Sequence, residues 1–305
     1  MSNNSDSIKK NNFEVEFNTL TELANLSLTY QVPISELIKK YENQNSELEI
    51  TVLETEMDKH LTVMQESIAQ GLQNPQTSLG GLIGGEGKQL EEYMVKNTPV
   101  SGNLTSKALA RALAVSEVNA SMGKVVASPT AGACGIIPGV LITIGEERNC
   151  DNREICNAMF TASGVGIVVS EHATLAGAEG GCQAECGVGS AMAAAGAVEM
   201  LGGTPEQVLN AVAISLKGIL GLVCDPVAGL VEVPCQKRNT MAVAQALTSI
   251  DMALAGIPSV IPADEVISAM YEIGKSIPPA LRETAEGGLA TTPTGQQIMD
   301  KLDQK

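Results

Sequence analysis

The sequence predicts a mainly α-helical protein, and three observations support this fold class. Apolar residues recur at helical spacing along most of the chain, and we find no paired segments with the period-2 alternation of strands. Aromatic residues make up 2% of the sequence and tryptophan is absent. The core must therefore be built from Ala, Val, Leu, Ile and Met, and such small side chains let helices approach closely.

Charge and cysteine usage narrow the class of protein further. A net charge of −16 over 305 residues argues against a nucleic-acid or anionic-membrane partner, since both bind basic surfaces. The N-terminal residues are polar and lack the apolar core of a secretory signal. Seven cysteines, an odd number, indicate reduced thiols. We therefore expect a cytoplasmic protein.

The N-terminal quarter predicts an acidic helical arm. Residues 1–12 are polar and predict a disordered tail, and residues 13–77 form the arm. Its first predicted helix covers residues 17–31, and Pro33 occupies the predicted start of the second. Ser46 is positioned to cap a long amphipathic helix that reaches Leu72.

A glycine-rich hinge, residues 78–87, opens the main domain, which we place at 78–305. Gly84 and Gly85 could bring backbone N–H groups close to an anionic ligand, or they could form an ordinary turn. Helices are expected from Glu86 and over residues 106–124, the second being rich in alanine.

Residues 125–145 carry no charge and are long enough to span a bilayer. Prolines and glycines divide them, however, so a buried loop followed by a core helix is the better interpretation. Within the loop, Ser128 and Thr130 offer hydroxyls and Gly132 permits an exposed N–H, a combination suited to a carboxylate. An ordinary helix start is the alternative.

The second half predicts helix after helix. We expect helices over residues 189–201, 204–222, 238–255 and 262–274, the second beginning with Thr, Pro and Glu in the order of a helix start. A glycine- and threonine-rich loop over residues 287–295 then precedes a short polar tail.

Four cysteines lie beside glycine, proline or a carboxylate rather than inside apolar runs. Cys182, Cys224 and Cys235 come from separate turns, and no CxxC pair indicates a zinc ribbon. Three such thiols could hold three irons of a [4Fe–4S] cluster and leave the fourth iron open as a Lewis acid. Scattered buried thiols are the alternative. Cys186 follows Cys182 by one helical turn, so a helix would place both on one face.

Three long motifs carry a family resemblance. Residues 179–185 (EGGCQAE), 221–239 (GLVCDPVAGLVEVPCQKRN) and 128–139 (SPTAGACGIIPG) closely resemble the iron–sulfur-dependent L-serine dehydratases. The match is to the alpha chain of the two-subunit type and covers about 78–295. It implies an all-helical catalytic domain whose oxygen-sensitive [4Fe–4S] cluster is held by Cys182, Cys224 and Cys235. It also implies deamination of L-serine to pyruvate and ammonia, in amino-acid degradation and gluconeogenesis. Cys134 and Cys186 lie where the pattern does not require cysteine.

The same resemblance suggests roles for other residues. Arg238, beside Cys235, could balance the thiolates or hold the substrate carboxylate, and His172 is a candidate base. No Ser-Ser-His-Thr motif of the single-chain relatives is present, so a beta subunit is expected to supply those groups in a hetero-oligomer. The predicted substrate contacts are Gly84, Gly85, Ser128, Thr130, Ala131 and Gly132.

Two other functions remain open from the sequence. A pyridoxal-phosphate serine/threonine dehydratase would catalyse the same net reaction, with Lys217 as its Schiff-base lysine, but such folds need alternating strands and helices. A non-catalytic iron–sulfur sensor subunit is the second alternative.

Overall fold

The computed structural model describes residues 13–304, and helices dominate this range. It contains no named strand there, only an isolated bridge between Cys224 and Arg282. The mainly α prediction is therefore confirmed. The helices of the described range are α1 (Leu20–Tyr30), α2 (Ile34–Ser46), α3 (Ile50–Gln73), α4 (Glu86–Lys96), α5 (Asn103–Ala120), α6 (Ile136–Arg148), α7 (Asn152–His172), α8 (Gly177–Gly180), α9 (Val188–Met200), α10 (Pro205–Lys217), α11 (Cys235–Leu254), α12 (Ala263–Ser276) and α13 (Pro293–Leu302).

The centre of the fold is helix α9, which is buried over Val188–Val198. It packs against α6, α7, α10 and α11. Its sequence is almost entirely alanine, glycine, valine and methionine, so it has no polar face to turn towards water. A helix that is apolar all round is stable only inside a ring of other helices, and α9 occupies that position.

Close helix contact at Gly196 gives a stability prediction. A Cβ atom there would overlap the carbonyl oxygen of Ala158 on α7. Gly196→Ala is therefore expected to lower the free energy of unfolding by about 1–3 kcal/mol, as overpacking does. Urea unfolding followed by circular dichroism measures it. Gly166→Ala is the matched control, because its Cβ meets only the flexible end of Met192, at 3.1 Å. Equal stability of both variants would contradict this account of the contact.

The N-terminal arm packs onto the rest of the chain through two half-buried carboxylates. Glu199 at the end of α9 accepts hydrogen bonds from the N–H groups of Ile34 and Ser35, at 2.7 and 3.1 Å. Asp264 accepts the N–H of Leu20 at 2.8 Å. Both carboxylates cap the first turn of an arm helix, where N–H groups have no partner within the helix. The division into 13–77 and 78–305 stays a prediction, and the tail at 1–12 lies outside the described residues.

Three local predictions were wrong. Ser46 ends α2 instead of capping α3, because its hydroxyl donates to the carbonyl of Glu42. Helix α10 ends at Lys217, short of the predicted 222, and the chain turns at Gly218. Helix α13 forms where a polar tail was expected: Thr292 caps it and Pro293 begins it, a start signal that the sequence analysis overlooked.

The uncharged stretch 125–145 divides as expected into a loop and the buried first part of α6. Among residues 13–304, no helix combines the length and apolar character needed to cross a bilayer.

Candidate cluster site

Three loops bring Cys182, Cys224 and Cys235 to one region of the fold. Cys182 directly precedes a π-helical turn, Gln183–Gly187, that leads into α9. Cys224 lies in an extended segment. Its N–H donates to the carbonyl of Leu281 at 2.9 Å, and its carbonyl accepts the N–H of Glu283 at 2.7 Å. Cys235 is the first residue of α11. Each thiol is therefore fixed by a different backbone element.

The three thiols lie close enough to influence one another's charge. Burial raises the pKa of Cys224, and the charges of Cys182 and Glu185 raise it further. The same causes raise the pKa of Cys235 to about 12. Cys224 and Cys235 are therefore thiols unless a positive charge compensates them, and a bound metal centre would supply that charge.

The three thiols come from three separate segments of the chain. Within residues 13–304, no group of three or more His, Cys, Asp or Glu side chains is arranged to hold one metal ion. In a four-iron cluster each cysteine binds a different iron, so the three thiols stay the predicted ligands of such a cluster. Gly177 lets Cys224 and the carboxylate of Glu185 lie close to the backbone, because a Cβ atom there would be 3.2 Å from Cys224 Sγ and 2.5 Å from Glu185 Oε2.

Glu185 connects the thiols to the 128–135 turn, and the sequence analysis did not single it out. Its Oε1 accepts a hydrogen bond from Thr130 Oγ1 at 2.7 Å. A Cβ on Gly132 would lie 3.1 Å from Oε1, and one on Gly177 would lie 2.5 Å from Oε2. Burial raises the pKa of Glu185. The hydrogen bond from Thr130 partly lowers this pKa, and the charge of Glu283 raises it further. The signal in the sequence was its place in the 179–185 motif, three residues after Cys182.

Asn239 is the second residue that the sequence analysis missed. Its Nδ2 donates to the carbonyls of Gly132 and Cys235, at 2.7 and 2.9 Å, and its Oδ1 accepts the N–H of Gly135 at 3.1 Å. All its hydrogen-bonding groups face backbone, and it is buried. Asn239 therefore fixes the 128–135 turn against the start of α11.

Arg238 provides a fixed positive charge at the site. It donates to the carbonyl of Val223 at 2.8 Å and pairs with Asp225 at 2.8 Å. Burial would lower its pKa, but the charges of Cys182 and Asp225 outweigh this and raise it. Asp225 also accepts the N–H of Leu289 at 2.7 Å, which anchors the C-terminal loop. Arg238 thus joins the cysteine segment to that loop.

Carboxylates hold the glycine-rich segment 78–87 in place. Glu232 accepts the Ser78 hydroxyl and the N–H of Gly80, at 2.6 and 2.7 Å. The N–H of Gly84 donates to Glu86 at 2.6 Å, and that of Gly85 donates to Glu117 at 3.0 Å. These two glycine N–H groups are therefore occupied within the chain. The predicted substrate contact at Gly84 and Gly85 stays a prediction.

The remaining predicted residues lie in different surroundings. Ser128 is buried and its hydroxyl has no hydrogen-bond partner in the structure. Ala131 begins a short 3₁₀ helix, and its carbonyl accepts from Asn119 at 3.2 Å. His172 is exposed at the end of α7, where its ring nitrogen lies 2.6 Å from the carbonyl oxygen of Asn18. Lys217 donates to the carbonyl of Ser259. Together with the helical fold, that contact does not favour the pyridoxal-phosphate alternative.

The Glu86–Glu117 pair gives a prediction about pH. Burial and the neighbouring Glu86 raise the pKa of Glu117 from 4.5 to about 7. The hydrogen bonds from the N–H groups of Gly87 and Gly85 act in the opposite direction and are outweighed. Burial acts on Glu86 too, but the Gly84 N–H and Lys237 outweigh it and lower its pKa to about 2. A raised carboxyl pKa means that folding favours the protonated form. Glu117 should therefore lower the free energy of unfolding as the pH rises from 4.5 to 7.

The free energy of unfolding, measured at several pH values in this window, is expected to fall by up to about 1.4 kcal/mol per pH unit. Above about pH 5.5 Glu86 contributes little slope, because its folded and its unfolded pKa both lie at least one unit lower. Glu117→Gln should flatten the profile, whereas Glu91→Gln, at an exposed position, should leave it unchanged. The assignment would be contradicted if the free energy of unfolding of the wild type rose from pH 5 to 7 and the Glu117→Gln variant showed the same profile.

Comparison with known proteins decides the family. The family model described as "Serine dehydratase alpha chain" matches residues 29–290. The chain belongs to the serine dehydratase alpha-chain family. It is 48% identical to the "Probable L-serine dehydratase, alpha chain" of Bacillus subtilis, over 94% of this chain and 95% of that protein. It is 46% identical to the "L-serine dehydratase, alpha chain" of Peptoniphilus asaccharolyticus, over 92% of this chain and 96% of that protein.

One relative is a longer protein that matches only part of this alpha chain. "L-serine dehydratase 1" of Escherichia coli is 48% identical over 59% of this chain, and the match covers 40% of that protein. The resemblance drawn from the three motifs is confirmed.

Proposed function

We propose that this alpha chain, together with a beta chain, forms a cytoplasmic L-serine dehydratase that converts L-serine to pyruvate and ammonia. The contact that carries the proposal is Glu185: one carboxylate oxygen is bonded to Thr130, and the other lies against Gly177, which also lies against Cys224. The carboxylate thus stands between the turn suited to a substrate carboxylate and the thiols suited to a cluster. The names of the relatives support L-serine as the substrate.

Cys182, Cys224 and Cys235 would hold the [4Fe–4S] cluster. When bound, the cluster would supply a Lewis acid that makes the substrate hydroxyl a better leaving group. The influence of the Cys182 charge on the pKa of both Cys224 and Cys235 supports this ligand set, because it requires the three sulfurs to lie near one another. Arg238 would reduce the net negative charge of the loaded site.

Residues of the chain would orient the substrate and take its proton. Thr130, Ala131 and Gly132 form a turn whose groups can hold the substrate carboxylate, and Asn239 keeps the turn in place. Glu185 Oε2 is free of described hydrogen bonds and can accept the Cα proton, while Thr130 holds Oε1. Loss of the proton and of hydroxide leaves aminoacrylate, which tautomerises to an imine and hydrolyses in water without further catalysis.

The beta chain would complete the active site. The Escherichia coli relative is a much longer protein, of which the match to this chain covers 40%, and that supports additional groups outside the alpha chain. We place the reaction in amino-acid degradation and gluconeogenesis, and we expect the enzyme to be oxygen-sensitive because one iron would be unprotected by a protein ligand.

The test is anaerobic reconstitution of the alpha chain with iron and sulfide, with and without the beta chain. We expect iron and sulfide to bind to the alpha chain, and L-serine turnover to require both chains. A loaded pair that leaves L-serine unchanged would exclude the dehydratase and favour a sensor role. Turnover that survives iron chelation would exclude the cluster.

A further inference from the structure

Cys186 has no role in the proposed function, yet its sulfur lies 3.4 Å from that of Cys182. Cys182 directly precedes the π-helical turn Gln183–Gly187, and Cys186, four residues later, lies within it. Residues with this separation in a helix have Cα atoms about 6 Å apart. That distance falls within the roughly 4.4–6.8 Å that a disulfide spans. The backbone therefore presents two thiols that can be joined without unfolding the turn.

A path for a small oxidant reaches the pair. Cys186 and Arg238 line a cavity of about 450 Å³, together with residues 218–222 and the first half of α11. Both sulfurs are otherwise buried, at 3% exposure for Cys182 and 1% for Cys186. Large reagents are thus excluded, whereas a molecule as small as hydrogen peroxide fits the cavity. The cavity therefore gives such an oxidant access to the pair.

We propose that Cys182 and Cys186 form a reversible disulfide when the cluster is absent. Hydrogen peroxide oxidises one thiol of the pair to a sulfenic acid and is itself reduced to water. The sulfur of the other cysteine then attacks the sulfenic sulfur, the S–S bond forms, and the sulfenic oxygen leaves as a second water. In sum, two thiols and one peroxide give one disulfide and two waters. A dithiol reductant reverses the bond.

The disulfide protects the site and also blocks it. It withholds one of the three proposed ligands, so oxidised protein cannot take up a cluster until it is reduced. It also prevents Cys182 from being oxidised further to the sulfinic acid, which thiol reductants do not reverse. Both consequences rest on the proposed function, since they require Cys182 to be a ligand. The disulfide itself requires only the geometry of the pair.

The experiment treats the full-length chain, freed of metal by an anaerobic chelator, with hydrogen peroxide. Remaining thiols are alkylated, and trypsin then releases residues 154–217 as one peptide that contains Cys156, Cys182 and Cys186. We expect this peptide to lose two hydrogen atoms and to carry one alkyl group, on Cys156. Cys156→Ser, the matched control on the same peptide, should still form the bond, and Cys186→Ser should not.

Recovery gives the second measurement. After peroxide and then a dithiol, the wild type should regain its full uptake of iron and sulfide. Cys186→Ser should regain only a fraction, with two oxygen atoms added at Cys182. Alkylation of all three thiols in the peroxide-treated wild type, or a bond to Cys156 instead, would overturn the proposal. A protein that forms the bond but never takes up iron would refute the proposed cluster and leave the disulfide standing.

Discussion

Replacing Cys224 by alanine is expected to abolish cluster binding. The thiol lies against Gly177, and its backbone is fixed by Leu281 and Glu283, so another cysteine cannot move into its position. Residues that merely support a metal ligand change affinity or activity by about 10–100-fold, so loss of the ligand itself should lower L-serine turnover by at least about 100-fold. Iron and sulfide counts after anaerobic reconstitution, together with the visible absorption of the cluster, measure the effect.

The control for this variant is Cys150→Ala. Cys150 is half-buried in the turn before α7, and the charged groups around it are Arg148, Asp151 and Glu154, none of which belongs to the site. It should bind iron and sulfide like the wild type. A Cys224→Ala protein that folds and keeps its full iron and sulfide content would refute the ligand assignment. Far-ultraviolet circular dichroism separates that outcome from misfolding.

Replacing Glu185 by glutamine is expected to give the second large effect. The amide can still accept from Thr130, so the turn keeps its contact, but it cannot accept a proton at the position that Oε2 occupies. General bases contribute about 10²–10⁴-fold to rate, and kcat for L-serine should fall by that factor. The measurement is turnover by the reconstituted alpha and beta pair, with iron content determined on the same sample.

Cluster content distinguishes a catalytic effect from a structural one. Glu185→Gln should bind iron and sulfide as the wild type does, unlike Cys224→Ala. Glu171→Gln, at an exposed position on α7, should keep both turnover and cluster. If Glu185→Gln turns over L-serine at the wild-type rate, the proton acceptor must come from elsewhere, and the beta chain becomes its expected source.

The helices could be predicted because their signals are local. The Thr204 and Asp151 caps, the proline at position 205 and the spacing of apolar residues all act within a few turns of chain. The errors were also local. Ser46 resembles a cap, yet its hydroxyl donates to the carbonyl of Glu42, one turn earlier. The start signal of α13 was overlooked because the helix is polar in composition.

The site was only partly predictable. Cys182, Cys224 and Cys235 stood out because their flanking glycines and prolines are unusual for buried cysteines. Glu185 and Asn239 did not, because a carboxylate or an amide in a helical segment is ordinarily at the surface. Their roles arise from partners 55 and 107 positions away in the chain, at Thr130 and Gly132.

The sequence by itself determined the helical fold class, the family and the cysteines worth testing, since periodicity, capping residues and long motifs are written along the chain. Only the tertiary structure decided which groups meet. It set Glu185 between Thr130 and Gly177, placed Cys224 against the same glycine, and brought Cys186 against Cys182. The physical reason is that hydrogen bonds and charges act over a few ångströms in space, and distance along the chain does not report that separation.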